Sequence, residues 1–262
     1  MSESGNGGMG VPPIGGKRGE RGFVPAEEGN KVRNVSGSGK KEGMGVLSHT
    51  EKITFCGFCE HLDDLIFDHV VVDESFSNIT REQMKKYYPK IVWNDSGIPD
   101  DDELTKSKDE TSRKKKRWLR ILSNLEKAME VARTSDQDTI AIFDSDIFIP
   151  GLNEIKTDNF IYTPCYWLWY DWAKEIRPFC SGTNFIFSKK MIEFFDVALS
   201  MYSVDEGPID IFLHDRLPHV NVIVNGTTHY VKTPDGVMKM SMTLSDLPMI
   251  WKHIPEYVKV IP

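Results

Sequence analysis

Positive charge, cysteine and long apolar runs are all scarce in this 262-residue chain. With 32 Lys and Arg against 39 Asp and Glu, the formal net charge is −7. That balance argues against a general nucleic-acid-binding surface, whose usual footprint is a strongly basic face. No apolar stretch approaches the roughly 20 residues that span a bilayer, and the N-terminus lacks the basic start and apolar core of a signal peptide. These absences predict a soluble, cytoplasmic protein with no transmembrane segment and no nucleic-acid partner. The four cysteines, Cys56, Cys59, Cys165 and Cys180, are too few and too unevenly spaced for a disulfide framework, so reduced thiols are expected.

Large apolar side chains are almost missing from residues 1–48, which hold 13 of the 20 glycines among Ser, Pro, Lys and Glu. Such a segment buries too little surface to offset its ordering entropy, and it is expected to be a disordered tail. Residues 49–262, about 214 in number, suit one α/β domain with a sizeable core.

Within that domain the apolar pattern predicts strands at 52–55, 68–73, 91–93, 139–143, 160–162, 183–187 and 221–224. Helices are predicted at 80–87, 112–133, 191–202 and 209–217. The second is the clearest, because Trp118, Ile121, Leu122, Leu125, Met129 and Ala132 recur at spacings of three and four. Strands alternating with helices imply a mostly parallel central sheet flanked by helices. A turn is expected at Asn225-Gly226.

The strand Thr139-Ile140-Ala141-Ile142-Phe143 runs directly into Asp144-Ser145-Asp146. In an open α/β sheet, ligands bind at the carboxyl ends of the strands, which is where this triplet falls. Two carboxylates two residues apart repel, and burial raises at least one pKa unless a cation or several donors compensate. Mg²⁺ or Mn²⁺ compensates directly, sharing its shell between carboxylates, waters and phosphates. The plainer alternative is that both aspartates cap the next turn.

Ile140-Ala141-Ile142-Phe143-Asp144-Ser145-Asp146 resembles the DxD-bearing strand of the GT-A glycosyltransferases, family 2 in particular, and the resemblance extends loosely from Lys52 to about Tyr230. It implies a single Rossmann-like GT-A domain acting as a hexosyltransferase. The implied donor is a nucleoside diphosphate-sugar (UDP or GDP), the cofactor Mn²⁺ or Mg²⁺, and the acceptor a glycan, protein or lipid. By the same resemblance Asp144, Asp146 and His229 hold the metal, and Asp144 and Ser145 lie against the sugar nucleotide. Val70-Val71-Val72-Asp73 looks like the strand whose terminal aspartate contacts base or ribose, and Phe55 and Cys56 fall near the base. Arg120 and Asn124 are the candidate donor contacts on the long helix, unless they belong to a solvated face. Asn184, in Ser181-Gly182-Thr183-Asn184, matches the family's glycine-containing strand beside the donor sugar.

The catalytic base of inverting relatives lies in an acidic segment similar to Val204-Asp205-Glu206-Gly207-Pro208-Ile209-Asp210, although the family's Glu-Asp pattern is not reproduced. Asp210 is the first candidate, with Glu206 and Asp205 behind it; ordinary charge at a helix N-terminus is the alternative. The aromatic run from Tyr166 to Trp172 suits either stacking on acceptor sugar rings or packing against the sheet.

Other classes compete. A haloacid dehalogenase-type phosphatase also places an aspartate pair after an apolar strand, but Phe148 stands where that motif has Thr or Val. A thiol redox protein would use Cys56 and Cys59, and a zinc site would add Cys165 and Cys180. A non-catalytic sugar-binding or scaffold role is the remaining class.

Overall fold

Val70, Val71 and Val72, and likewise Ile140 through Phe143, are fully buried, as strands covered on both faces must be. The computed structural model describes residues 50–55, 67–73, 91–98, 110–157, 159–170, 175–180, 183–233, 236–254 and 258–262. The tail expected at 1–48, the helix expected at 80–87 and Cys56 to Cys59 lie outside them.

The first half of the domain supplies β1 (Thr50–Phe55), β2 (His69–Asp73), β3 (Ile91–Asn94), α1 (Glu110–Thr134), β4 (Thr139–Asp144) and β5 (Ile147–Phe148). Then follow β6 (Ile161–Pro164), β7 (Tyr166–Tyr170), β8 (Glu175–Phe179), β9 (Phe185–Ser188), α2 (Ile192–Met201) and α3 (Ile209–Arg216). The chain continues through β10 (His219–Val224), β11 (Thr228–Thr233), β12 (Gly236–Ser241), α4 (Leu247–His253) and β13 (Val258–Ile261).

Among the described residues, eight strands form the central sheet in the order β13-β10-β6-β9-β4-β1-β2-β3. All neighbours are parallel except β9, which runs against both β4 and β6. The expectation of an α/β fold with a large, mostly parallel sheet flanked by helices is therefore met. Alternate residues of each strand feed two cores. Ile140 and Ile142 pack with Leu125 and Met129 of α1, Phe195 of α2 and Leu213 of α3. Ala141 and Phe143 face the opposite side, where Ile147, Ile149, Leu152 and Ile155 cover them. Two smaller sheets, β12-β11-β5 and the β7–β8 hairpin, stand beside the central one.

The expectation of reduced thiols fails at Cys165 and Cys180, which form a disulfide. They flank the first pair of the β7–β8 hairpin, Tyr166 opposite Phe179, so strand pairing brings their Cα atoms to 4.2 Å. With those two thiols joined, the zinc reading loses half of its ligands. Among the described residues no helix is long and apolar enough to cross a membrane.

Candidate functional site

Parallel pairing sets the ends of the strands side by side: Phe55 is opposite Asp144, and Asp73 is opposite Asn94. Asp144 thus stands at the carboxyl edge in the middle of the sheet, where β9 begins on the neighbouring strand. Thr183 Oγ1 donates to Asp144 Oδ1 at 2.9 Å, and Asn184 Nδ2 donates to Oδ2 at 3.2 Å. Asn184 Oδ1 in turn accepts from the Asp144 backbone N–H at 2.8 Å. The resemblance implied that Asn184 contacts sugar hydroxyls; in the structure it is fully buried and its amide holds Asp144. Burial, and then the charge of Asp146, push the Asp144 carboxyl up to about 6, against the pull of these two hydrogen bonds, with Asp210 adding to the rise.

After Asp144 the chain turns through Ser145 and Asp146 into β5, which pairs antiparallel with β11 so that Ile147 faces His229. The Tyr230 N–H donates to the Asp146 carbonyl at 2.8 Å. This register brings His229 Nε2 to 3.4 Å from Asp146 Oδ2. Nδ1 lies 2.8 Å from the Trp167 carbonyl, and since a carbonyl only accepts, Nδ1 carries a proton. A histidine whose Nδ1–H is bound to a backbone carbonyl presents Nε2 as the group available to a proton or a metal. Burial opposes charge on this ring, but the hydrogen bond to Asp146 and the charge behind it outweigh burial and raise the His229 pKa.

The Asp146 side chain is 44% exposed, yet its Oδ1 is buried and has no donor among the described residues. A buried carboxylate oxygen left without a donor is unfavourable, and a hard divalent cation satisfies it. Among the described residues no three His, Cys, Asp or Glu side chains close on a common point. Mg²⁺ and Mn²⁺ do not require a full protein cage, because waters and phosphate oxygens complete their shells. Asp146 Oδ1 and His229 Nε2 are the atoms that could donate to such an ion, with Asp144, both of whose oxygens are hydrogen-bonded, beside them.

Asp210 sits in the first turn of α3. Its charge raises the pKa of Asp144, Tyr166 and Tyr202, so it lies within electrostatic reach of all three. The other two acidic candidates turn away: Glu206 is exposed, and Asp205, 77% exposed, pairs with Lys115 at 2.6 Å. Tyr166, the first residue of the aromatic run read from the sequence as an acceptor-stacking or packing surface, lies at the site. It is buried, with its ring edge-on to His229 at 5.1 Å. Burial and the surrounding Asp144, Asp146 and Asp210 raise its pKa well above the phenol range, so it remains a donor.

A second polar cluster lies at the ends of β2 and β3. Asp73 is buried, accepts from Ser96 Oγ at 2.5 Å and lies 3.9 Å from Arg120 Nε. Asn124 accepts from Asn94 Nδ2 at 2.9 Å. Arg120 and Asn124 are both buried, which overturns the alternative of a solvated helix face. The three residues matched to nucleotide contacts are brought together, engaged with one another and with β3. Ser145 lies in the turn before β5, half-buried; Phe55 is placed by its backbone pairing, and Cys56 is outside the described residues.

Sheet and site define an α/β protein with an acidic, histidine-faced centre at the carboxyl ends of parallel strands. The chain is 46% identical over 212 residues to uncharacterized protein 209 of Sulfolobus islandicus rod-shaped virus 1, a match covering 79% of this chain and 94% of the relative. It belongs to the family of that viral protein. No family model matches it.

Proposed function

We propose that the chain is a metal-dependent glycosyltransferase of the GT-A type, moving a sugar from a UDP- or GDP-sugar to an acceptor hydroxyl. The observation that carries this reading is Asp146, which follows a central parallel strand with Oδ1 buried and donorless and Oδ2 facing His229 Nε2. Asp146, His229 and Asp144 would hold Mn²⁺ or Mg²⁺, which when bound supplies Lewis-acid stabilisation of charge on the departing diphosphate.

The remaining steps belong to the protein. Thr183 and Asn184 fix the orientation of Asp144, so the acidic pair needs little rearrangement to receive a ligand. Asp210 takes the proton from the acceptor hydroxyl as it attacks, since its charge reaches Asp144, whereas Asp205 pairs with Lys115 and Glu206 is exposed. Tyr166 supplies a protonated hydroxyl beside carboxylates, which only accept.

A thermal-shift screen of UDP, GDP and their sugars, with and without Mn²⁺, tests the reading. One nucleotide at a hundredfold excess over its Kd should stabilise the native state by about 2.7 kcal/mol, and only with the metal present. Asp146→Asn should melt cooperatively but lose that response and all transfer. Equal stabilisation in chelator, or full transfer by the variant, sinks the assignment.

A further inference from the structure

Helix α2 is apolar on two opposite faces, and the fold covers one of them. Ile192, Phe195 and Leu199 are buried in the core. Phe194, Val197 and Met201, spaced three and four apart on the outer side, are 50, 61 and 58% exposed. A contiguous apolar stripe at a surface marks an interaction site. With Ala198 these side chains line a groove of about 400 Å³, bounded by Glu193 and by Arg216 at the end of α3. Arg216 lies 4.9 Å from the centre of the Phe212 ring. Among the described residues neither Glu193 nor Arg216 has an ion-pair partner.

We infer that this face pairs with a second copy of the chain about a twofold axis. In a twofold contact one patch meets itself, so the patch must be its own complement. This one is: the stripe of each copy covers that of the other, and Glu193 of each copy meets Arg216 of the other. One class of partner thus accounts for both the uncovered apolar stripe and the two unpaired charges of opposite sign. The contact also stiffens α3, whose last residue is Arg216 and whose first turn carries Asp210. Neither Glu193 nor Arg216 belongs to the acidic centre, so the inference is independent of the proposed transfer reaction.

Sedimentation equilibrium of the full chain tests it. At about 100 µM, a hundredfold above a micromolar Kd, the protein should be a dimer. Val197→Asp places a charge in the stripe at a position exposed in the single copy, so it should sediment as a monomer with unchanged circular dichroism. Glu193→Arg and Arg216→Glu should each weaken the dimer by about tenfold or more, and the double reversal should recover most of that loss, because the pair re-forms with its signs exchanged. A monomer at this concentration, a dimer indifferent to Val197→Asp, or single reversals with no recovery in the double each overturns the inference. Recovery in the double is the result that a partner of another kind would not give.

Discussion

At the scale of single residues, burial at the acidic centre shifts the proton affinity of Asp144. Asp144 has its pKa raised from 3.8 to about 6, so the folded chain keeps a proton there that the unfolded chain has lost. Stability of the metal-free protein should therefore fall as pH rises across that window and level off above it. His229 acts in the same direction: its pKa is raised, so its contribution is complete below the ordinary histidine range and is lost as pH rises through the higher value. Urea melts from pH 3.5 to 8 in chelator should show both losses, and Asp144→Asn should flatten the lower one. On the proposed reading a proton on His229 Nε2 competes with the cation for that nitrogen, so Mn²⁺ binding should release protons and weaken as pH drops, which calorimetry in buffers of different ionisation enthalpy would detect. Replacing Asn184 by Ala removes one of the two donors that restrain Asp144, so the Asp144 titration followed by carboxyl NMR should move upward. Asp144, Asp146, His229 and Asp210 were legible in the sequence because each ends a strand, opens a helix or follows a turn. Thr183 and the Trp167 carbonyl were not, since their roles exist only once β9 and β7 lie beside them.

At the scale of elements, the strands buried on both faces could be read directly, because Val70–Val72 and Ile140–Phe143 are unbroken apolar runs. The β7–β8 and β11–β12 hairpins could not: their strands mix aromatic, charged and small residues, and long-range pairing decides their conformation. The β10–β11 turn, which carries the chain from the central sheet to the β12-β11-β5 sheet, shows how a local bend serves the site. Gly226 has φ 85°, its N–H donates to the Met242 carbonyl, and a Cβ there would meet Pro150 Cγ at 3.2 Å. Gly226→Ala should destabilise the fold by about 1–2 kcal/mol. It should also weaken Mn²⁺ binding, since the turn sets β11, and with it His229, against β5. The disulfide joins positions 15 apart. Replacing both cysteines by Ser should lower stability by about 3 kcal/mol in a denaturant melt, the chain-entropy value for a loop of that length.

At the scale of the molecule, the sheet consists of two parallel groups, β3-β2-β1-β4 and β6-β10-β13, joined through β9. β1 and β4 pair along six positions, whereas β9 meets β6 at Tyr162 and Ile186. The amides of β6 and β9 should therefore exchange with solvent sooner than those of β1 and β4, which hydrogen exchange read by mass spectrometry can check. Asp144 belongs to one group, while Tyr166 follows β6 and Asp210 precedes β10 in the other. A ligand touching all three spans the seam between the halves. On the proposed reading, a bound substrate therefore ties the two parallel groups together across β9, and its binding should raise the exchange protection of β6 and β9.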